Sequence, residues 1–152
     1  MKFMIAMIIQ LIQGLKQLHG FGYSHGDLKL ENICARPGKD GIFKFTLIDL
    51  GVASKLPRIG ENTQHKNFRG NLLTASPDHI KNRRAGAVDD FYSLLCVAYY
   101  FVFETLPWRK VINEYLEIHR DNVEDKKKLY IKLRKQKKEE FDQELINDGR
   151  EL

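Results

Sequence analysis

The apolar run FYSLLCVAYYFVF, from Phe91 to Phe103, constrains the fold of this chain more than any other stretch. It contains no charged residue, and a segment of this kind is driven out of water. It is also too short to cross a bilayer, which needs about 20 residues. The run therefore predicts a helix buried on all sides at the centre of a domain. Asp89 and Asp90 come directly before it and are expected at its N-terminal end.

Periodicity and turn residues predict the other elements. Apolar residues near the start recur at helical spacing, so an amphipathic helix is expected to end near Gly20 and Gly22. Its stripe consists of Met4, Ile8, Leu11, Ile12, Leu15 and Leu18. Two short apolar strands flank the sequence PGKDG, which predicts a β-hairpin. From Gly51 to about Arg84, glycine and proline break any period, and a long irregular segment of this kind usually carries function.

Length and charge limit the domain organisation. A chain of 152 residues, 43% hydrophobic and 30% charged, is long enough for one domain with a real core. Its net charge of +5 fits an anionic partner such as a nucleotide, an acidic protein segment or a nucleic acid. Cys34 and Cys96 lie far apart, which favours a reducing compartment. After Trp108 the sequence becomes charge-dense, so we expect a domain over residues 1–110 and a charged helical extension or tail, partly disordered, over 111–152.

The stretch YSHGDLKLEN gathers several polar side chains in one short loop. Phosphoryl transfer needs a base for the attacking hydroxyl, metal ligands, and a cation that neutralises charge on oxygen. Asp27 supplies a carboxylate, Lys29 an ammonium and Asn32 an amide oxygen. One hairpin later, the sequence LIDLG places Asp49 at a strand end, and Gly51 lets the backbone turn. Asn32 and Asp49 both offer the hard oxygen atoms that Mg²⁺ prefers.

The order of these features resembles the C-terminal lobe of a eukaryotic protein kinase, where H-R-D-L-K-x-x-N is followed by D-F-G. Here an amphipathic helix, HGDLKLEN, a hairpin, IDLG, an irregular segment and an aspartate-led apolar helix follow one another. The likeness covers about Phe3 to Lys110. It implies a mainly α fold of the α+β class, in which a small β-hairpin carries the catalytic and metal-binding loops. No N-terminal β-lobe is expected in this chain.

The resemblance also implies roles for the loop residues. Asp27 would be catalytic, orienting the substrate hydroxyl and accepting its proton, and Lys29 would neutralise the transferring phosphoryl group of ATP. Asn32 and Asp49 would bind Mg²⁺ and, with Lys29, the nucleotide. A lysine two places after the aspartate is typical of serine/threonine kinases. The resemblance therefore implies a protein serine/threonine kinase that uses ATP and Mg²⁺.

Three further residues are implied to support the site structurally. His25 would pack and form hydrogen bonds within the loop, and Gly51 follows the metal-binding Asp49. Asp90 resembles the aspartate that caps the catalytic-loop amides from the central helix of kinases. A plain N-cap of the apolar helix is the alternative role for Asp90, and it uses the same physics.

Other sequence features favour one branch of the kinases. HGD in place of H-R-D is typical of vaccinia-related kinases, and LTASPDHI, the aspartate pair and LPW resemble the casein kinase I group that includes them. The segment from Gly70 to Asp78 has the length of the kinase segment that ends in A-P-E. Within it, Asn71 stands where serine/threonine kinases usually have a threonine that braces the catalytic aspartate.

Several parts of a kinase are not found in this sequence. It contains no G-x-G-x-x-G loop, no V-A-I-K lysine and no helix glutamate to pair with it, all of which precede the catalytic loop. We expect either a fragment of a longer kinase or a degenerate relative that has lost its first lobe. The intact loop residues favour the fragment. The competing function is a catalytically inactive, pseudokinase-like binding module.

Partners and weaker sites complete the expectations. A protein substrate and ATP are the expected partners, without a membrane, in an intracellular location that is either cytoplasm or nucleus. A nucleic acid is not expected, because the basic run from Lys126 to Lys138 is followed at once by two glutamates and charge runs are usually solvated. His65 and His79 have no second metal ligand at usable spacing. The sequence NRR, from Asn82 to Arg84, is a weak candidate for gripping an acidic or phosphorylated substrate.

Overall fold

The computed structural model describes residues 2–38, 41–58, 61, 68–81, 84–118, 128–129, 131–137 and 139. Within these residues the longer helices are α1 (Lys2–Gly20), α2 (Ala87–Phe103) and α3 (Arg109–Ile118). The strands are β1 (Tyr23–Ser24), β2 (Ile33–Pro37), β3 (Phe43–Leu47) and β4 (Ser54–Lys55). Single 3-10 turns lie at Leu30–Asn32 and His79–Lys81, and residues 131–137 are helical.

Helix α1 confirms the amphipathic prediction. Leu11 and Leu15 of the predicted stripe are buried on its inner face, together with Met7, which the predicted stripe did not include. The helix ends at Gly20, and Gly22 then adopts φ +81°, a left-handed conformation in which glycine is not strained. The inner face belongs to a first core cluster, which contains Met7, Leu11, Leu15, Leu28, Phe45, Leu94 and Val97.

The predicted β-hairpin is also confirmed. Strands β2 and β3 pair antiparallel, with Ile33 opposite Leu47 and Pro37 opposite Phe43. Beyond the open end of the hairpin, the Ile48 N–H donates to the Asn32 carbonyl over 3.0 Å. Because Asp49 follows Ile48, the hairpin brings Asp49 back to the loop that contains Asn32.

A second small sheet was not predicted. β1 pairs antiparallel with β4, with Tyr23 opposite Lys55 and Ser24 opposite Ser54. The strand β4 lies inside the segment predicted to be irregular, and two residues are too few to show an alternating pattern. This sheet ties the chain after Asp49 to the chain just before the HGDLKLEN loop.

The prediction that the apolar helix is buried on all sides was wrong. Helix α2 contributes Leu94 and Val97 to the first core cluster, but Val102, within the predicted run, is 55% exposed. Leu95 and the phenylalanines at the C-terminal end of the helix are also exposed. The reason is that the described elements pack against only part of the circumference of the helix. Apolar residues on every face of a helix therefore did not mean that another element covers every face.

A second core cluster lies on the other side of α2. It contains Ala75, Ile80, Cys96, Leu106, Trp108, Val111 and Leu133. Leu133 and Lys137 come from the charge-dense region and are both fully buried, so for Lys137 the expectation that the basic run is solvated was wrong. The domain boundary near residue 110 stays a prediction. In the described part of the chain, no helix is both long enough and apolar enough to cross a membrane.

Candidate active site

Asp27, Lys29 and Asn32 meet in the loop between β1 and β2. Lys29 Nζ donates to Asp27 Oδ2 over 2.8 Å, and Asn32 Nδ2 contacts the same oxygen at 3.2 Å. Asn32 Nδ2 also donates to the Asp27 backbone carbonyl over 2.8 Å, which closes the loop on itself. The hydrogen bond to Asp27 raises the pKa of Lys29 above its ordinary value, so Lys29 is a cation at neutral pH.

The other carboxylate oxygen of Asp27 has no hydrogen-bond partner in the part of the chain that the structure describes. Its Oδ1 is buried and accepts no hydrogen bond within the described residues. A buried carboxylate oxygen without a partner is costly, because the lost hydration is not replaced. Such an atom in a native site requires an explanation, and acceptance of a proton from a bound hydroxyl group is one.

Asp49 lies beside this loop in an unusual backbone conformation. Its φ is +63°, a left-handed value that aspartate tolerates better than most residues. Its Oδ1 accepts the Gly51 N–H over 3.0 Å, which fixes one side-chain oxygen within the turn. A Cβ on residue 51 would lie 3.0 Å from this Oδ1 atom, so the glycine leaves room for the carboxylate. The side chain of Asp49 is exposed.

His25 connects the Asp27 loop with the Asp49 strand end. The ring is fully buried, its Nδ1 lies 3.3 Å from the Asp27 N–H, and its Nε2 lies 3.2 Å from the Ile48 carbonyl. Since Nδ1 accepts a hydrogen bond from the Asp27 N–H, we assign the ring proton to Nε2, which then donates to the Ile48 carbonyl. The ring thereby holds the backbone next to both carboxylates.

Asp90 holds the backbone of the same loop from α2. The Asp90 carboxylate is 1% exposed, with Oδ2 accepting the His25 N–H over 2.8 Å and Oδ1 accepting the Gly26 N–H over 2.9 Å. Gly86 stands at the N-cap position of α2, so the plain N-cap role suggested as an alternative for Asp90 does not apply. Asp89 instead accepts the Gly86 N–H over 2.7 Å.

His19 and Ser24 contribute to the site but were missed in the sequence. His19 Nε2 lies 2.8 Å from Asp90 Oδ2, across 71 positions of the chain. Ser24 is fully buried, and its hydroxyl donates to the Ala85 carbonyl over 2.8 Å. A histidine in the last turn of α1, directly before the polar loop, was the available signal for His19. Nothing in the sequence indicated the partner of Ser24.

Three weaker candidates have other surroundings. Asn71 Oδ1 accepts the Leu73 N–H over 2.7 Å, so this side chain stabilises its own turn. Arg84 forms an ion pair with Glu61, whose pKa is held below its usual range by the Arg58 backbone N–H and then by Arg84. Asn82, Arg83 and His65 lie outside the described residues. His79 is buried beside the Phe68 ring, and the described residues contain no cluster of three or more metal-binding His, Cys, Asp or Glu side chains.

Comparison with known proteins agrees with this arrangement. A family model for the protein kinase domain matches residues 2–148. Casein kinase 1-like protein HD16 of Oryza sativa subsp. japonica is 33% identical over 114 residues, which cover 70% of this chain and 16% of that protein. A probable serine/threonine-protein kinase of Dictyostelium discoideum is 33% identical over 109 residues, covering 68% and 22%. 3-Phosphoinositide-dependent protein kinase 1 of Homo sapiens is 30% identical over 107 residues, covering 70% and 18%.

The chain therefore belongs to the protein kinase family. Of the relatives named above, one is a probable serine/threonine-protein kinase, one is casein kinase 1-like and one is a 3-phosphoinositide-dependent protein kinase. The chain spans about a fifth of the length of these relatives, between 16% and 22%. Protein kinases in general transfer a phosphoryl group from ATP to a protein with the help of Mg²⁺.

Proposed function

We propose that this chain carries the catalytic loop of a protein serine/threonine kinase, which transfers the terminal phosphoryl group of ATP to a protein hydroxyl. The observation that carries the proposal is the buried, unpartnered Oδ1 of Asp27, next to a cation and an amide within one loop. A carboxylate needs a free lone pair to accept a hydroxyl proton, and Oδ1 provides one.

Each loop residue then has one task. Asp27 Oδ1 accepts the hydrogen bond of the substrate hydroxyl and takes its proton as the new oxygen–phosphorus bond forms and the bond from the γ-phosphorus to the oxygen of the leaving ADP breaks. Lys29 stays protonated and offsets negative charge on the transferring group, because its pKa is raised by Asp27. His25 and Asp90 are positioning residues, since they contact the loop backbone rather than the reacting atoms.

The residues present fit magnesium. Within the described residues, Asn32 uses its Nδ2 in the loop, which leaves Oδ1 for a cation, and Asp49 uses one carboxylate oxygen, for the Gly51 amide. Mg²⁺ is usually bound by one or two protein oxygens, with water and substrate phosphates completing the shell. When bound with ATP, the ion neutralises phosphate charge. Asn32 and Asp49 would hold it.

The subfamily proposal is a kinase of the casein kinase I or vaccinia-related type. Gly26, which stands in place of the arginine of H-R-D, adopts φ +75°, where a larger residue would be strained. Trp108 of the LPW sequence is fully buried and donates its indole N–H to the Leu73 carbonyl over 2.7 Å. These features support a structural role for the two motifs that suggest this branch. We further propose a protein substrate and an intracellular location.

Calorimetric titration of this chain with ATP, in the presence and absence of Mg²⁺, tests the proposal. We expect binding that requires Mg²⁺, and transfer of labelled phosphate to serine or threonine of a mixed protein substrate. Binding without transfer to any protein would favour the pseudokinase-like binding module. If the chain shows no ATP binding and no phosphate transfer, the proposed kinase activity of this chain is contradicted.

Replacing Gly51 with alanine is expected to weaken Mg²⁺-dependent ATP binding by about 10- to 100-fold, the usual effect of disturbing a group that orients a metal ligand. The added Cβ would lie 3.0 Å from Asp49 Oδ1, so the carboxylate must move. The dissociation constant from calorimetry measures the effect. Gly20→Ala is the matched control, because a Cβ there meets no atom within 4 Å. Equal affinity for the two variants would remove Asp49 from the proposed metal site.

A further inference from the structure

Lys137 is a fully buried lysine without a carboxylate partner among the described residues. Its Nζ donates to three backbone carbonyls, those of Leu72 at 2.8 Å, Leu73 at 3.1 Å and Ala75 at 2.6 Å. An ammonium group has three N–H donors, so all of them are used. Lysine is almost never fully buried unless it is paired, and here one short backbone segment supplies all the partners.

Aromatic rings cover the same ammonium group. Nζ lies 4.8 Å from the centre of the Trp108 ring and 5.9 Å from that of Tyr92, both within range of a cation–π contact. The Trp108 indole also donates to the Leu73 carbonyl. Lys137 and Trp108 therefore both donate to the Leu73 carbonyl, and Leu73 is held by both.

The held segment forms a wall of a cavity beside the proposed catalytic loop. The cavity, of about 170 Å³, is lined by Leu73 and Thr74 on one side and by Lys29 and Glu31 on the other. This space is several times the roughly 30 Å³ that one water molecule occupies in the liquid. It is therefore large enough for a side chain, and it opens next to the lysine that pairs with Asp27.

The same segment also touches the backbone beside Asp27. Gly70 lies so close to the Gly26 carbonyl oxygen that no Cβ would fit there without a shift. The Ala75 N–H donates to the Asn71 carbonyl over 2.9 Å, and the Ser93 hydroxyl donates to the Thr74 carbonyl over 3.0 Å. Residues 70–75 thus run as one hydrogen-bonded unit from the catalytic loop to Lys137.

We propose that Lys137 is a positioning residue that fixes the Leu72–Ala75 segment as the wall of the cavity that receives a substrate side chain near the acceptor hydroxyl. The role of the cavity as a substrate site rests on the proposed function. The clamp, by which we mean the fixing of residues 72–75 by Lys137, does not. Methionine at position 137 would keep a long apolar stem while removing the three donors. The carbonyls of the segment would then be buried without this partner, and the segment would loosen.

Stability should depend on pH through this residue. Burial lowers the pKa of Lys137 to about 7, against 10.5 for an ordinary lysine. The neighbouring Cys96 thiol has its pKa raised by burial to about 12, so it stays uncharged over the pH range of interest. Above pH 7 the unfolded chain therefore binds more protons at this position than the folded chain. We expect the stability of the native chain relative to Lys137→Met to rise between about pH 7 and 9, measured by urea unfolding. A difference independent of pH over this range would contradict the lowered pKa of Lys137, because the folded and unfolded chains would then bind the same number of protons at this position.

Amide hydrogen exchange on the whole chain tests the clamp. In Lys137→Met we expect exchange at the Leu73 and Ala75 amides to accelerate about tenfold or more, as for the loss of hydrogen bonds to a charged group, with the α1 amides of Leu11 and Leu15 unchanged. Lys135→Met is the control, because Lys135 is 75% exposed and pairs only at the surface with Glu139. Unchanged exchange at Leu73 and Ala75, or an equal rise throughout α1, would overturn the proposal.

The native chain and the kinetics provide independent readouts. If Lys137→Met does not fold, the native chain still tests the clamp. Its Leu73 and Ala75 amides should be protected from exchange to the same degree as the Leu11 and Leu15 amides. Unprotected exchange at Leu73 and Ala75 would refute the clamp. Where phosphoryl transfer is measured, Lys137→Met should raise the KM for the protein substrate about tenfold and change the KM for ATP less than about twofold. Absence of transfer in the native chain would contradict the proposed function, while the exchange measurements would still decide the role of Lys137.

Discussion

Replacing Asp90 with alanine is expected to lower the free energy of unfolding by about 3–5 kcal/mol, the usual cost of removing one partner from a buried charged network. The Asp90 carboxylate accepts hydrogen bonds from the backbone amides of His25 and Gly26 and contacts His19. Asp90 is 1% exposed. Because a domain of this size is stabilised by only about 5–15 kcal/mol, the expected loss is a large fraction of the total.

Urea unfolding followed by circular dichroism measures this effect. Glu139→Ala is a suitable control, because this carboxylate is 59% exposed and its contact with Lys135 is 3.8 Å long, so its removal should cost less than about 1 kcal/mol. If Asp90→Ala does not fold, Asp90→Asn keeps the shape and one acceptor oxygen and should cost about 1–3 kcal/mol. A cost for Asp90→Asn no larger than that of the control would show that the carboxylate does not hold the loop.

Local sequence patterns were sufficient for the elements around the site. The helical spacing that includes Leu11 and Leu15 predicts the inner face of α1, and the PGKDG sequence predicts the hairpin that returns Asp49 to Asn32. These features depend on residues close together in the chain, so their physics is readable without the fold.

Contacts between distant residues could not be predicted in the same way. His19 reaches Asp90 across 71 positions, and the carbonyls bound by Lys137 are 62–65 positions away from it. In sequence, Lys137 belongs to a basic run, and such a run usually faces water. Lys137 is buried because Trp108 and the turn at Leu73 pack around it, and these residues are distant in the sequence. The exposed face of α2 is the opposite case, since an apolar pattern states a preference for burial and not the presence of a neighbour.

The chemistry of the site is tested most directly at Asp27. Replacement of Asp27 with asparagine is expected to reduce the rate of phosphoryl transfer by about 10²–10⁴-fold, the range typical of a lost general base. The change keeps the size of the side chain but removes its ability to take a proton. Mg²⁺-dependent ATP affinity should change less than about twofold, because the proposed metal ligands are Asn32 and Asp49.

The fold of the Asp27 variant is expected to survive. Asn32 Nδ2 keeps its 2.8 Å bond to the backbone carbonyl of residue 27, and the lost pair with Lys29 lies at a partly exposed position. The free energy of unfolding should therefore change by less than about 1 kcal/mol. Steady-state transfer with saturating substrates gives kcat, urea unfolding gives the stability, and Glu139→Gln serves as the carboxylate-to-amide control. An Asp27→Asn variant that is folded, binds ATP and retains more than about a tenth of the native rate would show that Asp27 is not the base.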